Sequence, residues 1–386
     1  MINALADAAS LRDRLKTWAL EAAYPIWWEV GADHLKGGFF EKIDLDGEAV
    51  DGPRRGRVLP RQIYAFSIAG DLGWTGPWRA AVDHGLNFFL SAYSRPDGQF
   101  RTLVGPNGEI LDDTADLYDQ AFAIFALAAV AKALPDRAED ARTLAVAVRE
   151  RLTTERRHPV AGFHQANPPT VPLQSNPHMH LLEAMLAWSA IDPDPAWRAL
   201  ADEIAALALA KFIHAETGMI REFFDLDWNP APGVEGRICE PGHQFEWGWL
   251  LLRWGQLAGR TDATAAALRM IDAAETRGVD LARGVAINAL LDDYSVHDDG
   301  ARLWPQTERI KAAVLAAELA GDAKYWEMAV SASVGLLAYL RTPVPGLWRD
   351  KYLADETFIE EPAPASSFYH IVLAILEMDR AISEAS

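Results

Sequence analysis

The sequence predicts an all-α protein, an (α/α)6 barrel of about twelve helices with short β-hairpin connectors at one end. Three observations carry this. Apolar residues spaced by three and four recur in two alternating sets of segments. A glycine followed by apolar or aromatic residues returns between those segments about every 60 residues, the mark of an internal repeat. Asp-Gly and Asn-Gly pairs, which favour tight hairpin turns, sit in the first two of these connectors.

Taken in chain order, Leu11–Leu20 carries charge on one side and reads as an outer helix. The connector "GGFFEKIDLDG" around Gly38 follows, then the more apolar Gln62–Leu72, an inner helix. The unit returns as Trp78–Leu90, "DGQFRTLVGPNGE" with Gly98, and Ala121–Leu134. The third copy is Ala138–Leu152, "AGFHQ" with Gly162, and Met179–Ile191. The fourth is Trp197–Phe212, "TGMIREFFDLDWN" with Gly218, and Phe245–Leu257. The fifth is Ala263–Thr276, "RGVAINALLDDYS" with Gly284, and Ile310–Ala320. Trp326–Leu340, "PGLWRDKYLADE" with Gly346, and Phe368–Ile382 complete six. Six hairpins in two layers close into a barrel, whereas an open solenoid usually has shorter repeats without strand-like connectors. No linker interrupts the chain, so residues 1–386 are expected to form a single catalytic domain.

Composition narrows the function. Half of the 386 residues are hydrophobic, enough for a large core, and that core accounts for most of the fourteen tryptophans. Lys and Arg number 36 against 55 Asp and Glu, a net charge of −19 that repels nucleic acid and anionic membranes. No apolar run approaches the roughly 20 residues of a membrane span. The N-terminal stretch mixes Asp and Arg early and lacks a signal peptide's apolar core. A lone cysteine, Cys239, excludes an internal disulfide and fits the cytoplasm. Monomer and homodimer both stay open.

The chemistry gathers where inner helices begin. Those starts hold Arg61, then Tyr118 with Asp119 and Gln120, then Asn176, His180 and Glu183. The last three repeats add His243 and Glu246 in "EPGHQFEWGW", Trp304, Gln306 and Glu308 in "WPQTE", and His370 in "SSFYH". Buried polar groups at the mouth of apolar helices are costly unless they are satisfied or functional. His180 and Glu183 are three apart, as are His243 and Glu246, so each pair shares a helix face. The bland alternatives are a core histidine bonded to a carbonyl, and Arg61 as an ion-pair partner of Asp119 or Glu183. His178 and His180 are two apart and point different ways on a helix, and one cysteine builds no thiolate site, so no metal is expected. No phosphate-loop or dinucleotide-binding glycine pattern is present.

The motifs "RQIYAFS", "NPHMHLLEA", "EPGHQFEWGWLLL", "WPQTE" and "SSFYH" resemble the N-acylglucosamine 2-epimerase superfamily of (α/α)6-barrel enzymes, over about Trp27 to His370. The resemblance implies that His243 and His370 are an acid/base pair acting on a free sugar, with His180 a third catalytic histidine. Arg61, Tyr118, Asn176, Glu183, Glu246 and Trp304 would contact the sugar, and Gln306 is counted with them. The stretch "EPAPASSFYHIVLA" lacks a Pro-Arg after its histidine and resembles the aldose–ketose isomerase branch, commonest for mannose. The expected reaction is D-mannose to D-fructose through a cis-enediol, with 2-epimerisation of mannose, glucose or N-acylglucosamine-type sugars as the alternative. Histidine suits such transfers because it gains and loses protons near neutrality. C2/C1 transfer is assigned to His243, ring opening to His370, and enediolate stabilisation to Arg61. No redox cofactor is needed for a redox-neutral isomerisation. A glycoside hydrolase using Asp119 and Glu246, or a non-catalytic sugar-binding or interaction module, are the competing classes.

Overall fold

The computed structural model describes residues 2–385. Twelve long helices are numbered here in chain order: α1 (Ile2–Trp18), α2 (Val58–Ser67), α3 (Trp78–Tyr93), α4 (Leu117–Ala133), α5 (Ala138–Glu155) and α6 (Ser175–Ser189). They continue as α7 (Pro195–Leu207), α8 (Pro241–Ala258), α9 (Thr261–Gly278), α10 (Trp304–Ala320), α11 (Ala323–Tyr339) and α12 (Ser366–Ala385). The odd-numbered helices are the expected outer set, and several end in a π-helical turn or carry an exposed face. The even-numbered ones are the expected inner set. They begin a few residues earlier than apolar periodicity alone indicates, because the polar motif residues themselves form the first turn. Pro241 and Pro305 assist there, since an N–H is not needed at a helix start.

Residues cluster into two compact units. One holds the chain up to Ala19, Ala205–Glu361, and the chain from His370 onward; the other holds Leu20–Ile204 and Pro362–Tyr369. In the first unit α8 packs on α9 and α10, α10 on α11, and α1 on α11. Its core is rich in fully buried tryptophan, including Trp247, Trp249 and Trp254 on α8. In the second unit α2 packs on α3 and α4, and α4 on α5 and α6. There Trp188 stacks on Trp197 at 5.1 Å and donates its indole N–H to the Ile124 carbonyl.

The connectors are short antiparallel pairings. The expected hairpins form at Lys42–Ile43 with Ala49–Val50, and at Leu103–Val104 with Ile110–Asp112. A further sheet joins Ile238–Cys239 to Ala289–Leu291 and that strand to Val296–Asp298, with Leu290 opposite Cys239. All six recurring glycines, Gly38, Gly98, Gly162, Gly218, Gly284 and Gly346, have positive φ. Each closes the tight loop after an outer helix in a left-handed conformation that a side chain would strain.

A second repeated device explains several polar residues at helix starts. Gln120 accepts from the Phe100 N–H at 2.8 Å and donates back to the Phe100 carbonyl at 2.8 Å. Gln244 makes the same reciprocal pair with Ile220, and Gln306 with Ala286. His178 fills the corresponding place in the third repeat, where Nε2 accepts from the Phe163 N–H and Nδ1 faces the Gln174 carbonyl. That pattern requires a neutral ring, and burial lowers the His178 pKa to about 4. Each pinned residue lies just past a connector glycine, so the inner helix holds the outer loop by its backbone. Gln306, expected to touch sugar, therefore has both ends of its amide engaged and is fully buried. Gln306→Leu is expected to lower stability by about 2–4 kcal/mol, since it strands a buried N–H and carbonyl. Denaturant unfolding reads that loss, and an unchanged KM would accompany it; a raised KM with intact stability would reinstate a sugar contact.

Candidate active site

In the first unit, His243 lies in the first turn of α8. Its Nδ1 is 3.0 Å from Glu222 Oε2 and 3.6 Å from Glu240 Oε2. Glu222 is placed by the connector, where its N–H donates to the Ile238 carbonyl, and its Oε1 faces the Glu240 N–H at 3.4 Å. Burial disfavours an imidazolium here, but the charges of Glu222 and then Glu240 outweigh it and raise the His243 pKa to about 10. Glu240 is pushed up in turn by burial and by the like charge of Glu222, against the pull of His243. His243 therefore stays protonated at neutral pH. The expected partner, Glu246, is not what holds it: the orienting carboxylate is Glu222, which lies outside the helix.

His370, on α12, is held differently. Its Nδ1 is 2.7 Å from Glu308 Oε1, and Glu308 Oε2 is 2.6 Å from Lys311 Nζ. Glu308 and Lys311 are both fully buried on α10, and the ammonium also lies 4.0 Å from the centre of the Trp249 ring. Each histidine is thus anchored through Nδ1 by a carboxylate, which fixes the orientation of the ring. The Trp304 indole links them: its ring centre is 5.0 Å from His243 and 5.8 Å from His370. Gly242 makes this possible, because a Cβ there would stand 2.5 Å from the indole.

Ligand-type atoms of Glu222, Glu240 and His243 lie within 4.8 Å of one another, as do those of Glu246, Glu308 and His370. Either spacing could admit a cation. The chain's own positive groups already answer these carboxylates, the imidazolium of His243 in one and the Lys311 ammonium in the other.

In the second unit, the Arg61 guanidinium lies 3.8 Å over the Phe122 ring and donates through Nη2 to the Tyr118 hydroxyl at 2.7 Å. Its buried Nε has no hydrogen-bond partner. Arg61 is not the ion-pair partner of Asp119; that place is taken by Arg57, at 3.1 Å. Asp119 is fully buried, and burial raises its pKa to about 6 despite Arg57. His180 Nδ1 meets Glu183 Oε2 at 3.1 Å, the pairing its spacing predicts, and the Tyr369 hydroxyl donates to the same carboxylate at 2.6 Å. Phe122 packs 4.4 Å from the His180 ring. Asn176, at the start of α6, leaves its buried Oδ1 without a partner.

Residues missed by sequence reasoning are Glu222, Glu240, Lys311 and Tyr369. Lys311 was within reach, since Glu308 and Lys311 repeat the three-residue spacing used for His180 and Glu183. Glu222 sits in a connector, where no helical periodicity points to it.

Comparison with known proteins gives the family and the fold. The model of the family described as N-acylglucosamine 2-epimerase (GlcNAc 2-epimerase) matches residues 38–374. The chain is 48% identical over 370 residues to a protein named mannose-6-phosphate isomerase from Rhizobium meliloti (strain 1021), covering 95% of this chain and 96% of that one. It is 26% identical to a D-mannose isomerase from Thermobifida fusca, over 80% and 82% of the two chains. The structure of cellobiose 2-epimerase from Spirochaeta thermophila DSM 6192 superposes with a TM-score of 0.88 at 22% identity, over 98% of each chain. That likeness shows the fold, and the all-α (α/α)6-barrel class expected from the repeat is the one found. Among the described residues no helix is long and apolar enough to cross a membrane.

Proposed function

The chain belongs to the N-acylglucosamine 2-epimerase family of sugar isomerases and epimerases, and from that premise we propose that it interconverts D-mannose and D-fructose by proton transfer through a cis-enediol. The observation that carries the reading is the pair of imidazoles, each fixed by a carboxylate at Nδ1 and both flanking the Trp304 indole.

The two charge environments divide the work, and they favour the reverse of the order assigned from sequence. His243, held as an imidazolium by Glu222 and Glu240, handles protons on oxygen. It gives one to the ring oxygen as the pyranose opens and recovers one from O1. It then protonates the new aldehyde oxygen as the enediol forms, and takes the O2 proton as the ketone forms. His370, whose carboxylate is neutralised by Lys311, handles the proton on carbon, removing it from C2 and returning it at C1. Protons balance at each histidine over the cycle. A base must be unprotonated at the operating pH, and the raised pKa of His243 argues against it in that role. Arg61, Tyr118, Asn176 and Glu183 are proposed as sugar contacts, each from its own chemistry: a guanidinium with a free N–H, a phenol, an unpartnered amide oxygen and a carboxylate. Glu246 and His180 join them on the family resemblance.

A second reading keeps the chemistry and changes the substrate to the 6-phosphate, favoured by the name of the 48%-identical relative. Epimerisation at C2 is the alternative outcome on free sugars. Residues 1–386 are taken as one catalytic domain, supported by matches along nearly the whole chain, acting on a monosaccharide in the cytoplasm. NMR of D-mannose and D-mannose 6-phosphate with the protein in D2O separates these outcomes. Fructose carrying deuterium supports isomerisation of the free sugar, and conversion of the phosphate alone moves the assignment to it. Glucose as sole product supports epimerisation. No product and no exchange with either sugar refutes the proposal.

A further inference from the structure

We propose that Lys311 is a positioning residue for His370: its buried ammonium clamps one oxygen of Glu308 so that the other orients the imidazole, and it cancels the carboxylate's charge so that the imidazole stays a free base. The inference rests on the assignment of His370 as the proton-transferring base.

The geometry is a chain of three groups. Lys311 Nζ to Glu308 Oε2 is 2.6 Å and Glu308 Oε1 to His370 Nδ1 is 2.7 Å, with both α10 residues fully buried. A lysine is rarely so buried, because desolvating an ammonium is costly unless a counter-charge and close packing offset it. Glu308 supplies the first and the Trp249 face the second. Trp249 is itself fixed on the far side, its indole N–H donating to Glu377 on α12 at 3.3 Å. Packing alone would be served by methionine at this position. What methionine lacks is the charge, and the charge matters because of what faces His370: Glu308 and Lys311 from α10, and Glu246 from α8. Without the ammonium, the imidazole would face the Glu308 carboxylate with no Lys311 charge to offset it. It would then resemble His243, which is flanked by Glu222 and Glu240. The two histidines have the same Nδ1–carboxylate arrangement. Lys311 is the difference that lets one donate while the other accepts.

The test is the acid limb of kcat/KM, which reports the base of the free enzyme. In Lys311→Met that limb is expected to move to higher pH by about one unit, as an uncompensated carboxylate stabilises the imidazolium. Activity at pH 6 should fall about tenfold and recover by pH 9. In the double variant Glu308→Gln/Lys311→Met, which restores neutrality, the limb should return toward its wild-type position even though kcat remains lowered. A packing role would lower stability and leave the limb where it is, and that result overturns the proposal. If Lys311→Met does not fold, the wild-type protein still decides: His370 is expected to titrate well below His243 in histidine-selective NMR, and a His370 ring still protonated at pH 8 would overturn it. That titration reads the ring whether or not a sugar is turned over. Failure of the isomerase reading therefore shows as absent product, separately from failure of the Lys311 inference.

Discussion

His370→Ala should lower kcat by about 10³-fold or more while the protein remains folded. General acid–base groups contribute about 10²–10⁴-fold, and this one is assigned the step with the highest intrinsic demand, removal of a proton from carbon. The fold is expected to survive because the substitution leaves the Glu308–Lys311 pair closed at 2.6 Å, so no buried charge loses its counter-ion. Exchange of the C2 proton with D2O should vanish with turnover, whereas ring opening, followed by the rate of anomer interconversion, should persist because His243 is intact. The measurements are single-turnover kinetics, deuterium incorporation and a thermal melt on one preparation. Near-normal turnover would remove His370 from the mechanism. Lost turnover with retained C2 exchange would return the carbon step to His243, the order first read from the sequence.

The helices were legible because their period is. Apolar spacing placed the twelve helices, and the glycine before each inner helix identified the repeat, since a tight left-handed loop admits little else. Polar residues were harder to read because two kinds share the same turn. Gln120, Gln244 and Gln306 hold connector backbone, and His178 does this with an imidazole in place of an amide. A sequence shows only that polar groups enter an apolar helix; it does not show which way they face. The reciprocal pattern, a polar residue about 20 positions after the strand it holds, becomes a signal only once its partner is known. For the same reason the spacing argument succeeded for His180 with Glu183 and failed for His243 with Glu246. Three-residue spacing allows a contact, but at His243 the connector carboxylate Glu222 occupies Nδ1 at 3.0 Å. Family resemblance identified His243 and His370 as a pair, and the surrounding charges, distant in sequence, are what make them unlike.

The second large effect is expected from Glu222→Gln. The amide keeps the shape and can still accept the His243 Nδ1–H, but it removes the charge that most favours the imidazolium. An opposite charge at this distance is worth about 1–3 units, so His243 should fall from about 10 toward the ordinary histidine range. The proposed mechanism needs His243 protonated, so activity is lost as pH rises through its pKa. The alkaline limb of kcat/KM should therefore move to lower pH by about 1–3 units. At pH 9 the loss should lie between about twofold and about ninetyfold, according to the size of that shift, while at pH 6 the variant should approach wild type. Stability follows the same sign. A folded-state pKa raised above the unfolded value of about 6.5 gives stabilisation that is full below that value. It is lost as pH climbs to about 10. Glu222→Gln removes much of it, so its melting temperature should change less than that of wild type between pH 6.5 and 10. An alkaline limb that stays in place would mean that some other group carries the essential proton. A variant equally impaired at every pH would reduce Glu222 to a steric support for the ring.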